Sequence, residues 1–112
     1  MYSGSGRIHV VQQDTLPYIN MYLKKSDGTV LDISDPGVVV SVLFRESGST
    51  TNLSTIICVK PNGGADGFVR FNFDGGVLDV TPGYYEGEVV VDFGGGELQT
   101  IYDLLKFTVR QR

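Results

Sequence analysis

Histidine and cysteine each occur once in these 112 residues, as His9 and Cys58, and tryptophan is missing. One of each, far apart in sequence, cannot furnish the several ligands of a transition-metal site. A nucleophilic triad would have to recruit His9 from the first predicted strand, where an edge or loosely packed position is the better reading. A lone cysteine forbids an internal disulfide. Its setting, Ile56-Ile57-Cys58-Val59, marks a small buried hydrophobe rather than a reactive thiol. No apolar run approaches the ~20 residues needed to cross a bilayer. The start, Met1-Tyr2-Ser3-Gly4-Ser5-Gly6, lacks the basic residues and apolar stretch of a signal peptide, so none is expected. The Asn52-Leu53-Ser54 sequon then reads as incidental.

Positive charge is scarce as well. Nine Lys and Arg stand against thirteen Asp and Glu, for a net charge of −4. Binding to nucleic acid requires clustered cations to neutralise phosphates, so this balance argues against it. The segment from Asp74 to Asp103 carries seven acidic residues (Asp74, Asp79, Glu86, Glu88, Asp92, Glu97 and Asp103) and no Lys or Arg. Lys106, Arg110 and Arg112 then make the end basic. A solvated acidic face is the plainer reading, and a docking surface for a basic partner is the other.

What the chain has in plenty is glycine, fifteen residues of it, and alternation of apolar with polar side chains. Strands are predicted near 7–12, 17–25, 38–46, 54–60, 67–73, 84–93 and 97–110, the last broken around Asp103. Turn signals separate them, among them Asp27-Gly28, Asp35-Pro36-Gly37, Asp74-Gly75-Gly76 and Gly94-Gly95-Gly96. Leu78 to Pro82 is the one place where a short helical turn is expected. The length suits one modest core. The reading is a lead over 1–6 followed by a single domain over 7–112. That domain is an immunoglobulin-like antiparallel β-sandwich of about seven strands.

Period-two patterning assigns the faces. Ile19, Met21 and Leu23 share one side; so do Val38, Val40, Val42 and Phe44; Val69, Phe71 and Phe73; Tyr85, Val89, Val91 and Phe93; and Leu105, Phe107 and Val109. These sets predict the core. Tyr85 opens a late strand after Thr81-Pro82-Gly83, where sandwiches often carry a corner tyrosine whose hydroxyl bonds to backbone. On the opposite sides lie Tyr18 and Tyr22, and Val39 and Leu43. If their strands are neighbours, these four residues form one apolar surface and a candidate subunit interface.

Catalytic constellations are sparse. Glu86 and Glu88 lie on one side of a strand, but as sequence neighbours they do not face each other across a cleft as glycosidase carboxylates do. They read as solvent-facing polar positions. Asp66 and Asp74 near glycine loops lack the dense Asp-x-Asp spacing of a calcium loop, so turn chemistry is preferred. The glycine runs lack the following helix and Lys-Ser or Lys-Thr pair of a phosphate cradle. No catalytic, cofactor or metal residues are assigned. Sugar binding, through stacking on an exposed Tyr18, Tyr22, Tyr84 or Tyr102 beside a carboxylate, is the alternative function.

Several segments carry a resemblance. They are Gln13-Asp14-Thr15, Ser26-Asp27-Gly28-Thr29 with Asp32-Ile33-Ser34, the strand Val38 to Arg45, and Gly67-Phe68-Val69-Arg70-Phe71. Thr81-Pro82-Gly83-Tyr84-Tyr85-Glu86-Gly87-Glu88-Val89 follows, then Leu98-Gln99-Thr100 and the strand Leu105 to Val109. In order and spacing they resemble the N-terminal domain of phage baseplate upper proteins and related immunoglobulin-like tail modules. The resemblance implies a non-enzymatic docking module that joins a receptor-binding or fibre protein to the tail core. It predicts a virion location, assembly in the host cytoplasm, and partners that are other phage structural proteins and copies of the chain itself, with no nucleic acid and no membrane. Such proteins continue into linker helices and a further domain, whereas this sequence stops at Arg112. A standalone adaptor, a connector and a capsid-surface decoration subunit are therefore the forms expected.

Overall fold

A computed structural model describes residues 6–101 and 104–112. Most of the expected N-terminal lead lies outside them, as do Tyr102 and Asp103, the site of the expected break. The described residues contain eight strands and no helix. They are β1 (Ile8–Val11), β2 (Ile19–Tyr22), β3 (Val39–Glu46), β4 (Ser54–Ile57), β5 (Phe68–Phe71), β6 (Gly83–Gly94), β7 (Glu97–Thr100) and β8 (Leu105–Arg110).

The strands form two sheets. The larger runs β1-β8-β6-β3-β4, and the smaller is the antiparallel pair β2-β5. β6 lies against β3 along one edge and is long enough to serve two partners along the other. Its first half pairs with β8 and its second half with β7. The expected antiparallel order fails at one place, because β1 runs parallel to β8, with Ile8 opposite Phe107. A parallel pair needs a long crossover, and here nearly the whole chain provides it.

Alternation becomes burial. All the residues of the expected core are buried except Phe93, which is half-exposed near the end of β6. Asp92 and Gly94 flank a register shift there, which breaks the period-two alternation just where Phe93 sits. Leu31 and Ile33, in the connector after the Asp27-Gly28 turn, join the core as well. Their backbone N–H groups donate to the carbonyls of Leu23 and Gly64. A chain of aromatic contacts links the two sheets: Phe71 to Phe73, Phe73 to Phe107, Phe107 to Phe44, and Phe44 to Tyr85. Edge-on, tilted and stacked pairs of this kind add to the stabilisation that burial itself supplies.

One glycine explains how the small sheet closes on its connector. Gly67 has φ +73°, and a Cβ there would stand 2.5 Å from the Leu23 carbonyl oxygen. Leu23 in turn donates to the Gly67 carbonyl at 2.9 Å. Only a residue without a side chain permits that approach.

The helical turn expected over Leu78 to Pro82 does not form. A turn over 74–78 precedes it, and Asp79 donates to the Gly76 carbonyl at 3.1 Å. The carbonyls that a helix would use are taken by the N-terminal segment. Gln13 donates to Leu78 at 3.0 Å, and the Gln12 side chain donates to Val80 at 2.9 Å.

Candidate functional site

The four residues expected to share one surface do not share a sheet. Tyr18 and Tyr22 belong to the β2 side of the small sheet, whereas Val39 and Leu43 lie on β3 of the large one. β2 pairs with β5, and β3 pairs with β4 and β6, so the supposed neighbours never meet. The expected surface is instead two outer faces.

On the small sheet the exposed face is aromatic and cationic. Tyr22 packs against Phe68 with ring centroids 4.8 Å apart. The Arg70 guanidinium lies 5.2 Å from the Tyr18 ring centroid and 5.9 Å from that of Phe68. Cross-strand register places Arg70 opposite Asn20, to whose Oδ1 its Nε donates at 2.9 Å. The contacts restrict the freedom of two exposed tyrosines, which lowers the entropy they would lose on meeting a partner.

On the large sheet the outer face centres on Ser41. Val39 and Leu43 flank it along β3, and register sets Val90 of β6 and Ile57 of β4 opposite it. Val39 and Ile57 are exposed and the other two half-exposed. A small polar residue is thus ringed by four aliphatics. Ile57 and Val90 were missed in the sequence, because only the pairing of three strands puts them beside Val39 and Leu43.

Glu86 and Glu88 are not the free solvent-facing carboxylates expected. Arg45, across the β3–β6 pair, donates through Nε to Glu86 at 2.7 Å and through Nη1 to Glu88 at 2.8 Å. The two carboxylates hold the guanidinium even more firmly protonated than usual, Glu88 first. Gly48 N–H also donates to Glu86, at 3.2 Å. The centre of the acidic segment is therefore partly neutralised by the fold itself.

The first and last strands differ in their place in the large sheet. β8 is interior, flanked by β1 and β6, and the ends of the large-sheet order are β1 and β4. His9 is exposed on β1 opposite Thr108. Cys58 is buried, and burial pushes its thiol up to about 12. The aspartates near glycines make turns. Asp66 accepts from Phe68 N–H at 3.0 Å and from the Asn62 side chain at 3.1 Å. Asp74 donates its N–H to Asn72 Oδ1 at 3.2 Å. No group of three or more His, Cys, Asp and Glu side chains is arranged to hold a metal ion among the described residues.

Tyr85 occupies the corner. It is buried, and its hydroxyl donates to the carbonyl of Thr81 at 2.6 Å. Tyr84, beside it, is exposed and lies under the Arg7 guanidinium, 4.8 Å from the ring centroid.

An open cleft of about 440 Å³ lies where the two sheets part, between β4 and β5. The chain crosses from one sheet to the other at its end. Cys58 donates to Val40 in the large sheet at 2.9 Å, while Val59 exchanges hydrogen bonds with Arg70 of the small one at 2.8 and 3.0 Å. Compared with models of protein families and with curated proteins, the chain matches none.

Proposed function

We propose that this chain is an immunoglobulin-like assembly module of a phage particle, placed at the tail or baseplate, where it docks neighbouring subunits or fibres. The order β1-β8-β6-β3-β4 over the pair β2-β5 supports the immunoglobulin-like part of this reading. It places β8, β6 and β3 side by side in one sheet and extends that sheet past β3 by one more strand, β4, as variable-type domains extend theirs. The hydroxyl bond of Tyr85 at the start of β6, the strand beside the last, fits the same plan. The phage part rests on the resemblance of the segments named in the sequence.

The observation that carries a docking role is the ring of Val39, Leu43, Ile57 and Val90 around Ser41. Contiguous aliphatics on an outer sheet face favour burial against another surface. An aliphatic face of this kind suits repeated copies set by particle symmetry. The aromatic and arginine residues on the small sheet, Tyr18, Tyr22 and Arg70, are a second face of the composition that dominates interface energetics.

The test is mass spectrometry of purified particles and of separated heads and tails. The chain is expected in the tail fraction, in a multiple of the ring symmetry. Particles assembled with Leu43→Glu in place of the native chain should lose it, since a charge placed in an apolar contact is left without a partner. Recovery in heads would move the module to the capsid surface, and absence from particles would remove the virion reading.

A further inference from the structure

We propose that the cleft between β4 and β5 binds a neutral saccharide, with Tyr18 carrying the apolar face of the sugar and polar side chains around it taking the hydroxyls. The inference stands independently of the assembly reading. The floor of the cleft is apolar and comes from the core: Ile56, Phe71 and Val77, each less than 10% exposed. Around it stand Thr55, Arg70, Asn72 and Asp74, together with the exposed Ile57 and Val59. Its volume of about 440 Å³ lies within the range of ligand pockets, ~300–1,000 Å³.

The polar set matches the chemistry of a sugar. Each hydroxyl of a pyranose both donates and accepts, so it is met best by a mixture of the two. Asp74 accepts, the Arg70 guanidinium donates, and Asn72 and Thr55 do both. Arg70 has hydrogens to spare, since its bond to Asn20 uses Nε alone. The C–H face of a sugar ring needs an aromatic platform, and Tyr18 is 53% exposed at the mouth. Arg70 lies over that ring and holds its plane. One cation and one anion leave the cleft electrically balanced. A phosphate or carboxylate ligand would call for a surplus of donors and positive charge, and an uncharged polyhydroxyl ligand does not.

The cleft exists because the sheets diverge ahead of their crossing. Thr55 to Ile57 follow the large sheet and Arg70 and Phe71 the small one, and the two lines join only at Val59 and Arg70. The floor is therefore held by strands of both sheets.

The experiment is a ¹H–¹⁵N spectrum of the full chain titrated with hexasaccharides of β-linked glucose, α-linked glucose, mannose, galactose and N-acetylglucosamine. Alginate serves as the anionic control and a Thr/Val-rich hexapeptide as an extended strand. Saturable shifts at Tyr18, Thr55, Arg70 and Asn72 with at least one neutral hexasaccharide are expected. Tyr18→Ala and Asp74→Ala should each weaken binding by about tenfold, equivalent to ~1.4 kcal/mol, while Tyr18→Phe keeps it. Both positions are exposed, and thermal melts of the variants check that the fold is retained. The proposal fails if no neutral probe moves these residues, if the two alanine variants bind as the native chain does, or if alginate binds equally well. It also fails if the peptide alone shifts Thr55 and Ile57, which would make the cleft a strand-docking edge.

Discussion

The hydroxyl of Tyr85 donates to the carbonyl oxygen of Thr81, four residues upstream, at 2.6 Å, while its ring stacks on Phe44 with planes 8° apart. One side chain thus ties the turn that enters β6 to the aromatic heart of the core. Tyr85→Phe keeps the stack and removes the bond, leaving a carbonyl with no partner. The expected loss is ~1–3 kcal/mol, read as a lower urea midpoint with an unchanged slope. Unaltered stability would mean that water replaces the hydroxyl without cost.

Gly87 faces the core between Tyr85 and Val89 with an ordinary backbone conformation, so its role is spatial. A Cβ there would meet Val42 Cγ1 at 2.8 Å and Phe107 Cε2 at 3.1 Å. Gly87→Ala should destabilise the fold by ~1–3 kcal/mol through overpacking. A double variant with Val42→Ala should recover part of that loss, because the two changes share one space.

Arg45→Met leaves Glu86 and Glu88 side by side without their cation. All three side chains are largely or partly buried, at 13%, 13% and 28% relative exposure, so the cost should exceed that of a surface pair, at ~1–3 kcal/mol. Adding Glu86→Gln and Glu88→Gln should return some of it. Equal denaturation midpoints for the single and triple variants would show that repulsion between the carboxylates is negligible.

Acid should weaken the fold through its turns. Asp27, Asp32 and Asp66 are held below their ordinary 3.8. The bonds responsible come first from the Thr29 side chain, the Ser34 side chain and the Phe68 N–H respectively. The unfolded chain takes up these protons at a higher pH than the folded one. The stability they lend is therefore complete above the unfolded value and is lost as the pH falls through the lower folded values. Urea midpoints should be level on this account above about pH 5 and decline below about pH 4. The combined Asp27→Asn, Asp32→Asn and Asp66→Asn variant should show a shallower acid decline, and an identical decline would assign the effect to other carboxylates.

Much of the strand pattern was legible because a half-buried strand writes its inner face into every second residue. Ile19, Met21 and Leu23, or Val38, Val40, Val42 and Phe44, needed no structure to be assigned to the core. Tyr85 was legible for the same reason, from its parity with Val89 and its place after Thr81-Pro82-Gly83. The failures share one cause. Leu78 to Pro82 looked free to coil into a turn of helix, yet Gln12 and Gln13, some 65 or more residues earlier in the chain, take its carbonyls. Glu86 and Glu88 looked solvated because Arg45 lies on another strand. Tyr22 and Leu43 looked like neighbours because parity says which side of a strand a residue faces, not which strand lies alongside.

The amino-acid sequence by itself determined the class of local structure: extended segments, their inner faces, the turns at Asp and Gly, and the burial of the lone cysteine. These follow from steric and hydrophobic preferences that act over a few residues. Only the tertiary structure decided that β2 leaves β3 for β5, that β1 lies parallel to β8, and that the outer surface divides into an aliphatic face around Ser41 and an aromatic one around Arg70. It also opened the cleft between β4 and β5. Those outcomes depend on backbone hydrogen bonds between strands far apart in the chain, and such bonds are made by groups that every residue but proline carries, so they leave little mark on the choice of side chain.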